Sequence, residues 1–222
     1  MEIKGIFFDL DGTLVDTMPD IILAIDSALK KNNQPTHPED RYPSFVGSGL
    51  REAARRALPE GKRKDEELID RVYNDIQSAY RQKPVVGSAL YPGVGAMVQE
   101  LKSRGLKLAV ITNKDRDIAQ VVVDTLFPDK PFDILVGVDE NTPPKPDPAG
   151  VMHALATLNL QPRQLVMVGD SEVDLKTGLR AGFPVIAVSW GFRPVETLKA
   201  AGAEIIADSV SSIITLLEEY HG

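Results

Sequence analysis

Phe7-Phe8-Asp9-Leu10-Asp11-Gly12-Thr13-Leu14-Val15-Asp16 is the stretch on which the fold turns. The apolar run from Ile3 to Phe8 reads as a buried strand that ends in turn chemistry at Asp11-Gly12. Side chains alternate along a strand, so Asp9 and Asp11 are expected to share a face just beyond its end. Two carboxylates that close raise each other's pKa unless a cation lies between them. Mg²⁺, a hard ion that takes carboxylates, carbonyls and water, is the simplest such cation. A carboxylate beside it can act as a nucleophile toward phosphorus.

Working outward, the strand is followed by about seventy residues with helical signals only. Pro19-Asp20 opens a helix whose apolar face carries Ile22, Ile25 and Leu29. Residues 34–47 hold Pro35, Pro38, Pro43 and Gly47 and read as a connection. Leu50 to Leu58 is a short helix. Asp65 to Gln82 is a longer one, with Leu68, Val72, Ile76 and Tyr80 at i+4 spacing. After Pro92-Gly93, strands at Lys107–Thr112, Ile134–Val136, Leu165–Val168, Val185–Val188 and Glu204–Ala207 alternate with helices. The last helix runs from Ser209 to Tyr220. Asp147 is expected as the N-cap, and Pro148 as N1, of the helix after the proline-rich loop. Alternation of strand and helix predicts an α/β fold, a doubly wound parallel sheet (Rossmann-like core). The expected division is a core of residues 1–16 and 87–222 with a small α-helical cap, residues 17–86, inserted over the strand ends. Asp16-Thr17 and Ser88 to Tyr91 are the expected hinges.

The chain has 222 residues, 43% hydrophobic and 26% charged, the balance of an ordinary globular protein. A formal net charge of −7 argues against a nucleic-acid partner. The absence of cysteine excludes disulfides, thiolate metal sites and thiol nucleophiles, and fits a cytoplasmic location. No stretch reaches the length of a membrane span, and Met1 to Gly5 enters the first strand without room for a signal peptide. A monomer or homodimer is expected.

Polar groups recur at four expected strand ends: Asp9 and Asp11; Thr112-Asn113-Lys114; Lys145 within Pro143-Pro144-Lys145-Pro146-Asp147-Pro148; and Gly169-Asp170-Ser171-Glu172-Val173-Asp174. Each has an ordinary account as a turn, a helix cap or a solvated lysine. Together they bring acids, a hydroxyl and an amine to one edge of one sheet, as phosphoryl transfer requires. In this order and over nearly the whole chain they resemble the four motifs of the haloacid-dehalogenase-like hydrolase superfamily, and the helical insertion resembles its small cap. The resemblance and the chemistry agree on roles. Asp9 attacks phosphorus and becomes an aspartyl phosphate. Asp11 protonates the leaving oxygen and later takes a proton from water, with a raised pKa and only its backbone carbonyl on the metal. Thr112, with Asn113 beside it, and Lys145 bind the phosphoryl group. Asp170 completes the Mg²⁺ shell with Asp9 and Asp11, and Asp174 orients its neighbours. Dehalogenases of the superfamily lack an acid at the position of Asp11, so phosphatase chemistry is expected.

Within the superfamily, Thr112-Asn113-Lys114, Lys145-Pro146-Asp147-Pro148 and Phe45-Val46-Gly47-Ser48-Gly49-Leu50 resemble the phosphoglycolate phosphatases, although Ser48 stands where that family commonly has Asn. The resemblance implies that Gly47, Ser48 and Arg51, or Arg41, meet a small phosphorylated metabolite. β-Phosphoglucomutases, pyrophosphatases and nucleotide phosphatases share this core and stay as alternatives. Lys62 and Lys64 sit in a charged run, a poor setting for a Schiff base. A phospho-accepting signalling domain is a distant alternative, disfavoured by a nucleophile on the first strand and by the insertion. His37, His153 and His221 lack ligand spacing. Trp190, Tyr42 and Phe45 have packing roles as good as any functional one. Glu172 suits a first helical turn through the dipole alone.

Overall fold

A computed structural model of the chain describes residues 2–219. His221 and the expected helix end at Tyr220 lie outside the described residues. In chain order the elements are β1 (Gly5–Phe8), β2 (Val15–Asp16), α1 (Met18–Lys31), α2 (Leu50–Ala57), α3 (Glu66–Gln82), β3 (Ala89–Leu90), α4 (Val94–Ser103), β4 (Lys107–Asp115) and α5 (Arg116–Leu126). They continue with β5 (Ile134–Val138), α6 (Ala149–Thr157), β6 (Leu165–Gly169), α7 (Glu172–Ala181), β7 (Val185–Val188), α8 (Val195–Ala200), β8 (Ile205–Ala207) and α9 (Val210–Glu219).

Six strands form one parallel sheet in the order β5-β4-β1-β6-β7-β8. Alternation along β1 divides the core between the two faces. Ile6 and Phe8 join α4, α5 and α9 through Val98, Val122 and Ile213, whereas Phe7 joins Val151 and Leu155 of α6 on the other side. The fold is the expected α/β sheet with helices on both faces. β1 is central, and the connections run outward from it in one direction through β4 and β5 and in the other from β6. That reversal leaves a crevice beyond the carboxyl ends of β1 and β6. Asp9 follows one of these strands and Asp170 the other.

The helices of the insertion bury an apolar cluster of their own, built from Ile21, Ile25 and Leu29 of α1, Ala53 and Ala57 of α2, and Ile69, Val72, Ile76 and Tyr80 of α3. Ile21 rather than Ile22 faces this cluster fully. Tyr42 and Phe45 pack edge to face inside it, and His37 caps it with a hydrogen bond to the Ala57 carbonyl at 2.7 Å. His153 is exposed on α6. These roles are structural. Ile118 of α5 reaches into the same cluster from the core. The helix after the proline-rich loop begins at Ala149, one residue later than expected; Asp147 still accepts the Ala149 N–H at 2.9 Å. Among the described residues, no helix is long and apolar enough to cross a membrane.

Where the chain leaves for the insertion and returns, β2 and β3 pair antiparallel, Val15 with Leu90 and Asp16 with Ala89. Two residues per strand give no period to read, and this ladder has no signature in the sequence. Asp20 fastens the same junction. Its buried carboxylate accepts the backbone N–H groups of Val86, Gly87 and Ser88 at 3.0, 2.9 and 2.9 Å, and the Ser88 hydroxyl. Burial pushes the Asp20 pKa up, but those hydrogen bonds outweigh it and hold the group below its ordinary value.

Asp20→Ala should lower stability by about 2–3 kcal/mol in urea denaturation, because it orphans the buried N–H and hydroxyl of Ser88 and removes two further hydrogen bonds. A lowered native pKa means that the Asp20 contribution is fully present above the ordinary value of 3.8 and fades as pH falls through the native value. The wild-type-minus-variant difference should therefore be flat at neutral pH and shrink in acid. A loss under ~0.5 kcal/mol would contradict the role of Asp20.

Candidate active site

β1 ends at Phe8, so Asp9 and Asp11 stand just beyond it, as expected. Both line the same pocket in the crevice, but each faces its own cation. Lys145 Nζ lies 3.0 Å from Asp9 Oδ1, and Lys114 Nζ lies 2.8 Å from Asp11 Oδ1. Asp9 Oδ1 also accepts the Leu10 N–H at 2.7 Å, which fixes the plane of the carboxylate. Asp11 Oδ1 accepts the Thr17 hydroxyl at 2.7 Å, from the residue that begins the insertion.

Lys145 is buried and spends three donors: on Asp9, on Asp174 Oδ1 at 2.7 Å and on the Ile111 carbonyl at 2.8 Å. Burial opposes its charge, but Asp174 and Asp9 outweigh burial and raise its pKa above the ordinary lysine value. The remaining oxygen of Asp174 accepts the Ser171 N–H and hydroxyl at 3.1 and 2.7 Å. Asp174 thus contacts Lys145 through one oxygen and Ser171 through the other. Thr112 lines the pocket; its oxygen accepts the Lys114 N–H at 3.2 Å, which leaves the hydroxyl hydrogen to donate.

Carboxylate oxygens of Asp9, Asp170 and Asp174 lie within 4.8 Å of one another. Burial first, then repulsion from Asp174 and Asp11, pushes Asp9 up to about 7 despite the opposing pull of Lys145. Burial and the charges of Asp9 and Asp174 likewise push Asp170 well above the carboxylate range. Hard oxygen donors with this surplus of negative charge suit a divalent cation. Both oxygens of Asp174 are occupied by Lys145 and Ser171, so Asp9 and Asp170 are the side chains open to such an ion. The Asp11 carboxylate is outside the trio, and only its backbone carbonyl is left as a ligand. Asp170 is crowded into place. At Gly12 (φ +82°) a Cβ would collide with its carboxylate, and at Gly191 a Cβ would come within 2.6 Å of the Gly12 carbonyl.

Other expected site residues stand differently. Arg51 is exposed and turned away, donating to Asp70 and Glu66 on the insertion's outer surface at 2.8 Å each. Arg41 is also exposed. Ser48 does not line the pocket; its hydroxyl takes the Arg56 guanidinium at 3.4 Å. The Asn113 amide is not free for phosphoryl oxygens. It donates to the carbonyls of Gly47 at 3.0 Å and Lys145 at 2.9 Å and accepts the Lys145 N–H at 2.6 Å, clasping the insertion loop to the core. Gly47 does line the pocket. Trp190 donates to the Thr13 carbonyl at 3.1 Å and buttresses the loop rather than the pocket.

The cations that do line the pocket are Lys114 and Arg193. Residue type and spacing assign Lys114 no role beyond its place in the second motif and give no signal for Arg193. Arg193 donates to the carbonyls of Pro43 and Val46, both at 2.6 Å, and pairs with Glu172 at 3.1 Å. Glu172 thus serves Arg193 and not a metal. No sequence period links residues 43, 172 and 193; only a cation near Gly191 offered a hint.

Residues 6–188 match the family model described as haloacid dehalogenase-like hydrolase, and the chain belongs to that family and is an enzyme. A phosphoglycolate phosphatase of Colwellia psychrerythraea is 32% identical over 98% of each chain. Another, of Aquifex aeolicus, is 33% identical over 85% of this chain and 86% of its own length. A haloacid dehalogenase-like family hydrolase of Streptococcus pneumoniae superposes with a TM-score of 0.86 at 26% identity, covering 97% of this chain and 98% of its own.

Asp174→Ala should cost about 3–5 kcal/mol in urea denaturation, since it unbalances a buried ion cluster. A loss under ~1 kcal/mol would show that Lys145 does not depend on it.

Proposed function

We propose that the chain is a Mg²⁺-dependent phosphomonoester hydrolase that acts through an aspartyl phosphate on Asp9, with phosphoglycolate as substrate. The observation that carries the reading is the buried Lys145 beside Asp9 at 3.0 Å, next to an acidic trio with surplus negative charge. The near-full-length relatives named phosphoglycolate phosphatase support the substrate. In this reading residues 17–86 act as a cap and residues 1–16 with 87–222 as the catalytic core.

Asp9 attacks phosphorus, the bond to the leaving alkoxide breaks, and Asp11 donates the proton that the alkoxide needs. Lys114 and Thr17 hold the Asp11 carboxyl toward the pocket for this transfer. Thr112 donates to the phosphoryl oxygens, and Lys145, behind the pocket, offsets charge on the nucleophile. Asp9, Asp170 and the Asp11 carbonyl would hold Mg²⁺, which would screen the repulsion between carboxylate and phosphate. Asp11 then takes a proton from water, which attacks the acyl phosphate and frees Asp9 and inorganic phosphate. The cap brings Val46, Gly47 and Leu50 over the pocket and excludes bulk water.

Asp9→Asn should reduce phosphoglycolate hydrolysis by at least about 10⁴-fold, with an unchanged circular dichroism spectrum. Activity within ~10-fold of wild type would refute the nucleophile. Arg51→Ala should leave kcat/KM within about twofold, because its guanidinium serves Glu66 and Asp70. A loss above ~10-fold would put Arg51 back at the substrate.

A further inference from the structure

The pocket must read the part of the substrate beyond the phosphoryl group, and its lining holds two cations. Arg193 is anchored to the loop: three of its five N–H groups go to the Pro43 and Val46 carbonyls and the Glu172 carboxylate, which hold the guanidinium in place. Lys145 has all three donors assigned and does not line the pocket. Lys114 differs. Its ammonium is buried at 1% exposure and lines the pocket, yet it meets only Asp11 Oδ1 at 2.8 Å and the Tyr80 hydroxyl at 2.6 Å. Among the described residues its third N–H has no acceptor. The Tyr80 ring lies 4.3 Å from the same nitrogen, so one aromatic side chain of α3 fixes the lysine's position.

Asp11 is the group that meets the leaving oxygen. A cation in contact with Asp11 is therefore within reach of whatever lies one carbon beyond that oxygen. Ile21, Leu50 and Ala53 give the same pocket an apolar part, which offers Lys114 no acceptor. A neutral alkyl leaving group would leave the third donor of Lys114 buried and unpaired, which is unfavourable. A carboxylate on the carbon next to the ester oxygen would accept it. We infer that Lys114 is the residue that reads the leaving group, selecting esters whose alcohol is an α-hydroxy carboxylate. This inference rests on the phosphatase reading above. It places specificity on the core's second motif, not on an arginine of the cap. Tyr80 sets the lysine from the cap side, so substrate reading and cap docking share one hydrogen bond.

The test compares kcat/KM for 2-phosphoglycolate and for ethyl phosphate, which lacks the carboxylate, in the wild type and in Lys114→Gln. Glutamine keeps a donor for Asp11 and Tyr80 but no charge. Ethanol is the poorer leaving group, so a weakened Asp11 acid would slow ethyl phosphate more and raise the preference, opposite in sign to the loss expected from Lys114. The wild type should prefer phosphoglycolate, and the preference should fall by about 10- to 100-fold in Lys114→Gln. If glutamine fails to fold by circular dichroism, Lys114→Met carries the same expectation. Wild-type preference that survives in the variant overturns the role of Lys114 and leaves the phosphatase reading standing. A wild type that hydrolyses phosphate esters without preferring phosphoglycolate overturns the substrate and Lys114 together. A wild type that hydrolyses no phosphate ester overturns the enzymatic reading itself.

Discussion

One buried ammonium holds the site together. Lys145 joins Asp9 after β1, the Ile111 carbonyl within β4 and Asp174 in α7. Taking these charges out of water is expensive, and the geometry offsets the cost only because each lysine donor finds an acceptor. The balance is deliberately incomplete in charge. One ammonium serves two carboxylates, and Asp170 stands beside them without a basic side chain at contact distance among the described residues. Burial, with this excess negative charge added to it, pushes Asp9 and Asp170 up, and a hard divalent ion would relieve the charge.

A second set of polar contacts ties the insertion to this cluster. Thr17 reaches Asp11, Tyr80 reaches Lys114, Asn113 reaches Gly47, and Arg193 reaches Pro43 and Val46. Each contact runs between a catalytic-edge residue of the sheet and the helical segment. The insertion is therefore docked through polar groups that can exchange partners with water or substrate, with Ile118 as an apolar contribution from the core to its cluster. This is the kind of interface that opens and closes at modest cost, in contrast to the apolar faces that fix α4 and α6 on the sheet.

Much of the fold was legible because its signals are local. The runs Leu108–Ile111, Leu165–Val168 and Val185–Val188 are apolar because both faces of the sheet are covered. Leu68, Val72, Ile76 and Tyr80 are all buried, as their spacing requires. Of the candidate site, Asp9, Asp11, Thr112, Asp170 and Gly47 line one pocket, and Lys145 and Asp174 stand directly behind it. What escaped the sequence depends on long-range partners. Asp20 reads as a helix-start acid, yet its carboxylate serves backbone 66 to 68 residues away. Arg51 and Arg193 are indistinguishable by residue type. Only the fold turns the first outward to Asp70 and the second inward to the loop at Val46. Asp9 and Asp11 do share one pocket beyond the end of β1 at Phe8, but nothing local in the sequence shows that each has its own lysine.

The central claim is that the carboxylate held by Lys145 is the one that takes the phosphoryl group. A crystal structure of the protein with Mg²⁺ and beryllium fluoride tests it most directly. The account predicts a tetrahedral fluoroberyllate bonded to a carboxylate oxygen of Asp9, with Lys145 in contact. Density bonded to any other side chain, with Asp9 unmodified, would contradict it.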